Sequence, residues 1–210
     1  FGKEGRDHLL NRAEEHGMTV VADVTYGPGD TDMTAQLTQI KGTDAQAVVN
    51  WSIVPGQSIV PKNMMQLGME IPLYQSHGFG NIKYVEAAGK EAAEGIIFPA
   101  GALLVAEQLP DDHPRKELLM NYKKEYEERF GGEASTFGGH AYDALTLLVE
   151  AIEQAGSDDK AAIRDQLEQI KGFDGTAGTF NMSPEDHTGL GDDAVEMVTV
   201  KDGKFVLLKE

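Results

Sequence analysis

Residues 29–51 read "GDTDMTAQLTQIKGTDAQAVVNW", a helix followed by a strand. The Asp32 carboxylate can accept unpaired N–H groups at a helix start. Met33, Leu37 and Ile40 then recur on one helical face. Residues 44–51, "DAQAVVNW", read as the strand. A helix that hands over to a short apolar strand is the repeating unit of α/β proteins.

The same unit recurs on either side. Leu9, Leu10 and Ala13 recur near helical spacing between Gly5 and Gly17, which predicts a helix over 4–16. Residues 18–26, "MTVVADVTY", are rich in β-branched residues and predict a strand, with a loop at "GPGD" (27–30). Pro55 can start a helix, because its missing N–H costs nothing in the first turn. That helix runs to Gly68, and Pro61 inside it implies a kink or a later start. A third strand follows at 71–75, a short helix at 80–88 and a fourth strand at 95–98. Continuous apolar strands separated by helices predict a parallel sheet covered on both faces.

The pattern changes after about residue 100. Residues 107–117, "EQLPDDHPRKE", are polar with prolines at 110 and 114 and read as a linker. Helices follow over 114–130, 139–155 and 158–171. The middle one is expected to bury Ala141, Leu145, Leu148, Val149 and Ile152, a wide apolar stripe. Gly131-Gly132 and Gly156 mark helix ends. These helices need a sheet to pack on, and the chain does not obviously supply one. Strands return at 176–181, 194–200 and 205–208, with Asp202-Gly203 as a hairpin turn.

Composition narrows the function. A length of 210 residues leaves one domain or two open. Eighteen Lys and Arg against 35 Asp and Glu give a formal charge of −17. Such a surface repels phosphates, so no nucleic-acid partner is expected. The acids are spread, densest at Asp111-Asp112 and Glu125-Glu127-Glu128, as on a solvated face. No apolar run is long enough to span a membrane. The absence of cysteine excludes disulfides, zinc-thiolate sites and cysteine nucleophiles. The chain begins with Phe1, shows no signal peptide, and opens on a helix without a preceding strand, so upstream sequence is expected.

Three stretches carry a resemblance: residues 29–51 quoted above, "GFGN" (78–81) with "AAEGIIFPA" (92–100), and "FGGHAYDALTLLVEAIEQAG" (137–156). Together, in order and over essentially the whole chain, they resemble the substrate-binding proteins of branched-chain amino-acid ABC transporters. These are the leucine/isoleucine/valine-binding proteins of the type I periplasmic binding protein fold. The resemblance implies an α/β fold of two lobes joined by three crossovers, with ligand held in the cleft. Residues 1–100 then correspond to the second lobe without its first strand. Residues 101–189 are the returning part of the first lobe, mostly helices, and 190–210 return to the second lobe. The amino-terminal portion of the first lobe is missing. The implied partners are a small-molecule ligand and a membrane permease, in the periplasm or outside the cell, with no cofactor and no metal. Self-association of the chain through its uncovered faces is a further expectation.

In parallel sheets, ligands sit beyond the carboxyl ends of strands. Such positions here are Phe1-Gly2, residues 51–54, Ser76-His77-Gly78 and the turn after Phe98. Phe1 falls where members of this family place an aromatic residue over the ligand, or it packs at a helix start. Trp51 either walls the cleft or packs in the core. Ser52 and Ile53 follow it, and Ile53 stands where amino-acid binders use a second aromatic. His77, beside Gly78, stands where amino-acid binders carry an acid that pairs with the ligand's ammonium. A charged imidazole would repel that ammonium, whereas it can donate to a carboxylate. His77 therefore fits an amine-free aromatic or aliphatic acid, or else it is a loop residue turned to solvent. His140, Tyr142 and Asp143 read as capping and packing, with Asp143 favouring the helix dipole.

Enzyme motifs fail. Gly78-Phe79-Gly80 would need glycine at 83 to form the dinucleotide fingerprint, and 83 is Lys. Ser76-His77 adjacent in sequence make no triad, which needs groups converging from elsewhere. Asp186-His187 lie in a polar turn without paired histidine spacing. The expected function is a non-enzymatic solute-binding protein of an ABC importer, capturing either a branched-chain or other hydrophobic amino acid, as the resemblance implies, or the amine-free acid that His77 fits. A ligand-sensing regulatory module on the same fold is the alternative, and a hydrolase using Ser76 and His77 is a distant third.

Overall fold

Helix and strand alternate through the first half of the chain. The order is α1 (Gly2–Arg12), α2 (Thr34–Lys41), β1 (Val48–Asn50), α3 (Ile59–Gln66), β2 (Leu73–Gln75), α4 (Ile82–Ala88), α5 (Lys90–Ala93) and β3 (Ile97–Gly101). The second half holds α6 (Lys116–Phe130), α7 (Thr136–Ala155), α8 (Lys160–Leu167), a small hairpin β4 (Phe173–Asp174) and β5 (Thr179–Phe180), and the closing hairpin β6 (Val195–Lys201) and β7 (Lys204–Leu207). This computed structural model describes residues 1–208. They divide into one unit of residues 1–99 with 197–208 and another of residues 100–196.

The main sheet has the strand order β1-β2-β3-β6-β7. β1, β2 and β3 are parallel, with Val48 opposite Leu73, Asn50 opposite Gln75 and Tyr74 opposite Ile97. β6 and β7 are antiparallel, so the sheet is mixed. Their turn is Asp202-Gly203, with φ of 53° and 74°. Two successive left-handed residues match the twist of a hairpin, which explains the Asp-Gly pair. Behind the sheet, Phe98 is fully buried, with the ring centroids of Phe79 at 5.5 Å and Phe205 at 5.2 Å.

The helix starts follow local chemistry. Asp32 Oδ1 accepts the Thr34 N–H at 2.8 Å, and this bond draws its carboxyl below the usual carboxylate range. Pro61 proves to be the third residue of α3, preceded by a 3-10 turn over Pro55–Ser58. The helix thus starts later than Pro55, and Pro61 lies in the first turn, where a missing N–H leaves no helical bond unmade.

Residues 18–26 do not form the predicted strand. Their exposure alternates as in a strand, with Ala22, Val24 and Tyr26 partly covered and Val21, Asp23 and Thr25 exposed. What is lacking is a ladder. Among the described residues, no backbone hydrogen bond ties 19–26 to a strand. A cavity of about 1670 Å³ is lined by this segment, α1 and the β1 region. Strand propensity is realised only through a neighbour that pairs the backbone. Amides of 19–26 are therefore expected to exchange with solvent roughly a hundredfold faster than those inside α4. Hydrogen exchange read by mass spectrometry checks this, and equal protection would refute it.

The second unit corrects two further expectations. Residues 107–117 are no linker. Residues Ala102–Gln108 form a 3-10 stretch, and Leu109 and Arg115 are buried. The backbone turns back through His113 N–H to Pro110 O and Lys116 N–H to His113 O, so the prolines shape a packed turn.

The stripe Ala141, Leu145, Leu148, Val149 and Ile152 is not the buried face of α7. Leu145 is 60% exposed while Leu147 is 7% exposed. The covered residues are Gly139, Asp143, Leu147 and Ala151, four apart. Leu147 and Ala151 pack with Ile170, Ala177 and Phe180, and Ile163 and Leu167 of α8 close the cluster. The stripe is apolar on the side for which the second unit supplies no layer of its own.

Candidate functional site

Phe1, which precedes α1, meets Trp51 of the loop after β1 and His77 of the loop after β2. The Phe1 and Trp51 rings stack at 6.2 Å between centroids. The imidazole of His77 stands edge-on to both, at 5.3 Å from Phe1 and 6.0 Å from Trp51. Edge-to-face and offset stacked pairs are favourable geometries for aromatic quadrupoles. Phe1 and His77 are exposed and Trp51 is half-buried, so the triad presents aromatic surface to solvent.

Trp51 is positioned by the helix beside it. A Cβ at Gly5 would fall 2.1 Å from Trp51 Cδ1, so only glycine there leaves room for the indole against α1. The spacing Gly2-Lys3-Glu4-Gly5 gave no hint of this, because the tryptophan comes from a distant strand end.

His77 opens a 3-10 turn, His77–Phe79, capped by Ser76. Ser76 Oγ accepts the Gly78 N–H at 3.2 Å and donates to the Ser52 carbonyl at 2.6 Å. That bond ties the loop after β2 to the loop after β1. Ser52 is buried, and its own Oγ accepts the Val54 N–H. Gly78 is buried as well. A Cβ there would meet Ile53 Cγ2 at 2.6 Å and the Ser52 carbonyl at 2.8 Å. The Ile53 side chain, half-exposed, therefore leans over Gly78 rather than away from it. Ser76 is fully buried with its proton on Ser52, so it is not presented as a nucleophile.

The cations of α1 are already engaged. Lys3 pairs with Asp7 at 2.7 Å, and Arg6 binds Asp7 at 2.9 Å and Asp23 through Nε at 2.7 Å. The Arg6 hydrogen bond holds the Asp23 carboxyl below its usual range, and the Lys3 hydrogen bond does the same for Asp7.

The remaining candidates lie in the second unit. His140 and Tyr142 are exposed. Asp143 is buried and does not serve the helix dipole, because α7 begins at Thr136 and Asp143 is in its interior. Its carboxylate accepts the Thr176 N–H at 2.7 Å, the Thr176 hydroxyl at 3.0 Å and the Ala177 N–H at 2.8 Å. Those amides are thereby withdrawn from the strand predicted over 176–181, which shrinks to Thr179–Phe180. Asp186 accepts the Thr188 and Gly189 N–H groups within a turn, and His187 Nε2 lies 3.1 Å from Glu168 Oε1. Among the described residues, no three His, Cys, Asp or Glu side chains are grouped to hold a metal, and no helix is long and apolar enough to cross a membrane.

Trp51 and His77 stand beyond the carboxyl ends of the parallel strands β1 and β2, the place where α/β sheets offer a crevice. Residues 1–204 match the family described as periplasmic binding protein, and the chain belongs to that family. It is 26% identical over its whole length to Leu/Ile/Val-binding protein homolog 3 of Brucella melitensis, covering 54% of that protein. It is 24% identical over 80% of its length to the leucine-, isoleucine-, valine-, threonine-, and alanine-binding protein of Pseudomonas aeruginosa, covering 42% of it. An extracellular ligand-binding receptor from Rhodopseudomonas palustris HaA2 superposes with a TM-score of 0.91 at 28% identity, over 99% of this chain and 60% of the receptor. The fold is that of the type I periplasmic binding proteins, and the chain spans about half the length of the curated relatives it matches.

Proposed function

We propose that this chain is the ligand-capturing portion of a solute-binding protein that serves an ABC importer outside the cytoplasmic membrane, and that it carries out no catalysis. The two units correspond in this reading to the second lobe and to part of the first. The observation that carries it is the contact of Phe1, at the start of α1, with Trp51 and His77 at the ends of β1 and β2. Phe1 and Trp51 offer faces to an apolar body, and His77 offers a donor to a carboxylate. Ser52, Ile53 and Gly78 shape the floor. The names of the relatives support a branched-chain or other hydrophobic amino acid. The imidazole at 77 supports an acid without an amine. The permease is the partner that receives the ligand, and self-association of the isolated chain is part of the same proposal.

Calorimetry with L-leucine and with benzoate separates the two ligand classes. Benzoate is expected to bind at least as tightly as leucine. Acidification, which charges an imidazole, should strengthen benzoate binding and weaken leucine binding, since a charged ring attracts a carboxylate and repels an ammonium. Binding of leucine alone, undiminished by acid, would refute the amine-free class. Binding of neither, with nothing gained from a wider set of amino and organic acids, would refute the solute-binding reading and favour a sensor of different chemistry.

A further inference from the structure

Beneath the ring triad runs one directed line of hydrogen bonds. The Tyr26 hydroxyl donates to Asn50 Oδ1 at 3.0 Å. Asn50 Nδ2 donates to Gln75 Oε1 at 2.7 Å. Gln75 Nε2 donates to the Gln57 carbonyl at 2.9 Å, and Gln57 Nε2 donates to the Gly78 carbonyl at 3.3 Å. Each bond points the same way, from residue 26 toward the turn that carries His77. Asn50 and Gln75 are opposite one another in the β1–β2 register, so their amides meet where the two strands end.

The direction is not free to reverse. The Gln57 and Gly78 groups that receive the last two bonds are backbone carbonyls, which can only accept. Gln75 must therefore turn its nitrogen to Gln57 and its oxygen to Asn50. Asn50 must then turn its nitrogen to Gln75 and its oxygen to Tyr26, which is left to donate. One end of the line thus fixes the orientation of every amide in it.

The arrangement is costly as a core. Asn50, Gln57 and Gln75 are all buried, and Gln57 Oε1 has no hydrogen-bond partner among the described residues. Apolar side chains would fill the same space without the desolvation of three amides. What the amides supply is a fixed position for the groups they bind, because carbonyls that can only accept leave each donating amide one orientation.

We propose that Gln57 and Gln75, oriented by the carbonyls they bind and held in one line with Asn50 and Tyr26, are positioning residues that set the Gly78 carbonyl and with it the placement of the His77 ring against Phe1 and Trp51. Their consequence for ligand selectivity rests on the binding reading above. Their effect on His77 does not.

The test uses Gln75→Met, which keeps side-chain length and removes both ends of the amide. The first readout is the proton spectrum of the His77 ring without ligand, assigned by its loss in His77→Gln. Its shifts depend on ring currents from Phe1 and Trp51 and are expected to move. Asn63→Leu is the control. Asn63 is also buried and also loses two bonds, from the Met33 N–H at 2.9 Å and to Gln66 Oε1 at 2.8 Å, but it lies off the line. Movement of His77 in Gln75→Met and none in Asn63→Leu supports the proposal. No movement in Gln75→Met, or equal movement in both, overturns it.

If Gln75→Met does not fold, Tyr26→Phe removes only the first donor. It should shift His77 in the same direction by less, and an unshifted ring there overturns the proposal too. The second readout is the ratio of benzoate to leucine affinity, expected to change by about tenfold, since displacing one hydrogen bond at the ligand is worth about that much. Should the unaltered protein bind neither probe, the binding reading fails while the His77 spectrum still decides the positioning claim.

Discussion

Asp143→Ala is expected to destabilise the second unit by about 3–5 kcal/mol, because it strips a buried set of donors of its only described acceptor. The carboxylate receives the Thr176 N–H, the Thr176 hydroxyl and the Ala177 N–H, and both residues at the far end are themselves buried. Water cannot replace an acceptor there without opening the packing of Gly139 against Thr176, where a Cβ at 139 would fall 2.5 Å from Thr176 Oγ1. Asp143→Asn keeps one oxygen and should cost about half as much, since the amide nitrogen then faces the Ala177 N–H or turns to the hydroxyl. Urea unfolding monitored by circular dichroism gives both numbers. Equal losses for Ala and Asn would mean that the charge, rather than the bond count, holds the 175–177 loop. A loss below about 1 kcal/mol for alanine would show that the loop finds other acceptors.

Phe98→Ala is expected to cost the first unit about 3–5 kcal/mol, the range for deleting a fully buried aromatic side chain. The ring stands edge-on to Phe79 and Phe205 and so links β3 to the turn that carries His77 and to the closing strand β7. Its removal leaves a void between parts far apart in sequence, where collapse would require the sheet itself to bend. Phe98→Leu should cost less than half as much, because most of the volume remains. The same urea titration checks the pair, and a Phe98→Ala protein within about 1 kcal/mol of the original would contradict the described packing.

Local chemistry was legible in the sequence wherever neighbours in the chain decide the outcome. Asp202-Gly203, Gly131, Gly156 and the helix-strand unit at 29–51 fall in this class. The fold family was legible from three ordered motifs. Two outcomes depend instead on what lies alongside. Residues 18–26 carry the alternation of a strand, yet pairing is a property of two segments, and the second is not beside them. Leu145, Leu148, Val149 and Ile152 carry the periodicity of a buried face, yet periodicity cannot say which of two apolar sides meets a layer. Glycine and leucine at 139 and 147 made the smaller, covered side. At the candidate site, the ring-bearing residues were found from strand-end placement. Gly5, Asn50, Gln57 and Gln75 were passed over because their partners come from other segments. A polar residue at the covered position of an otherwise apolar strand, as at 50 and 75, is the signal that could have exposed two of them.

Trp51 is the chain's sole tryptophan, and it is wedged against Gly5 with His77 at its edge. The protein thus carries its own optical probe, placed by the fold at the spot of greatest interest and nowhere else. Imidazolium quenches indole emission, so the brightness of this single fluorophore registers the protonation and displacement of His77 without any label. Whatever enters between these rings, or moves the turn beneath them, is written directly into the light the molecule emits.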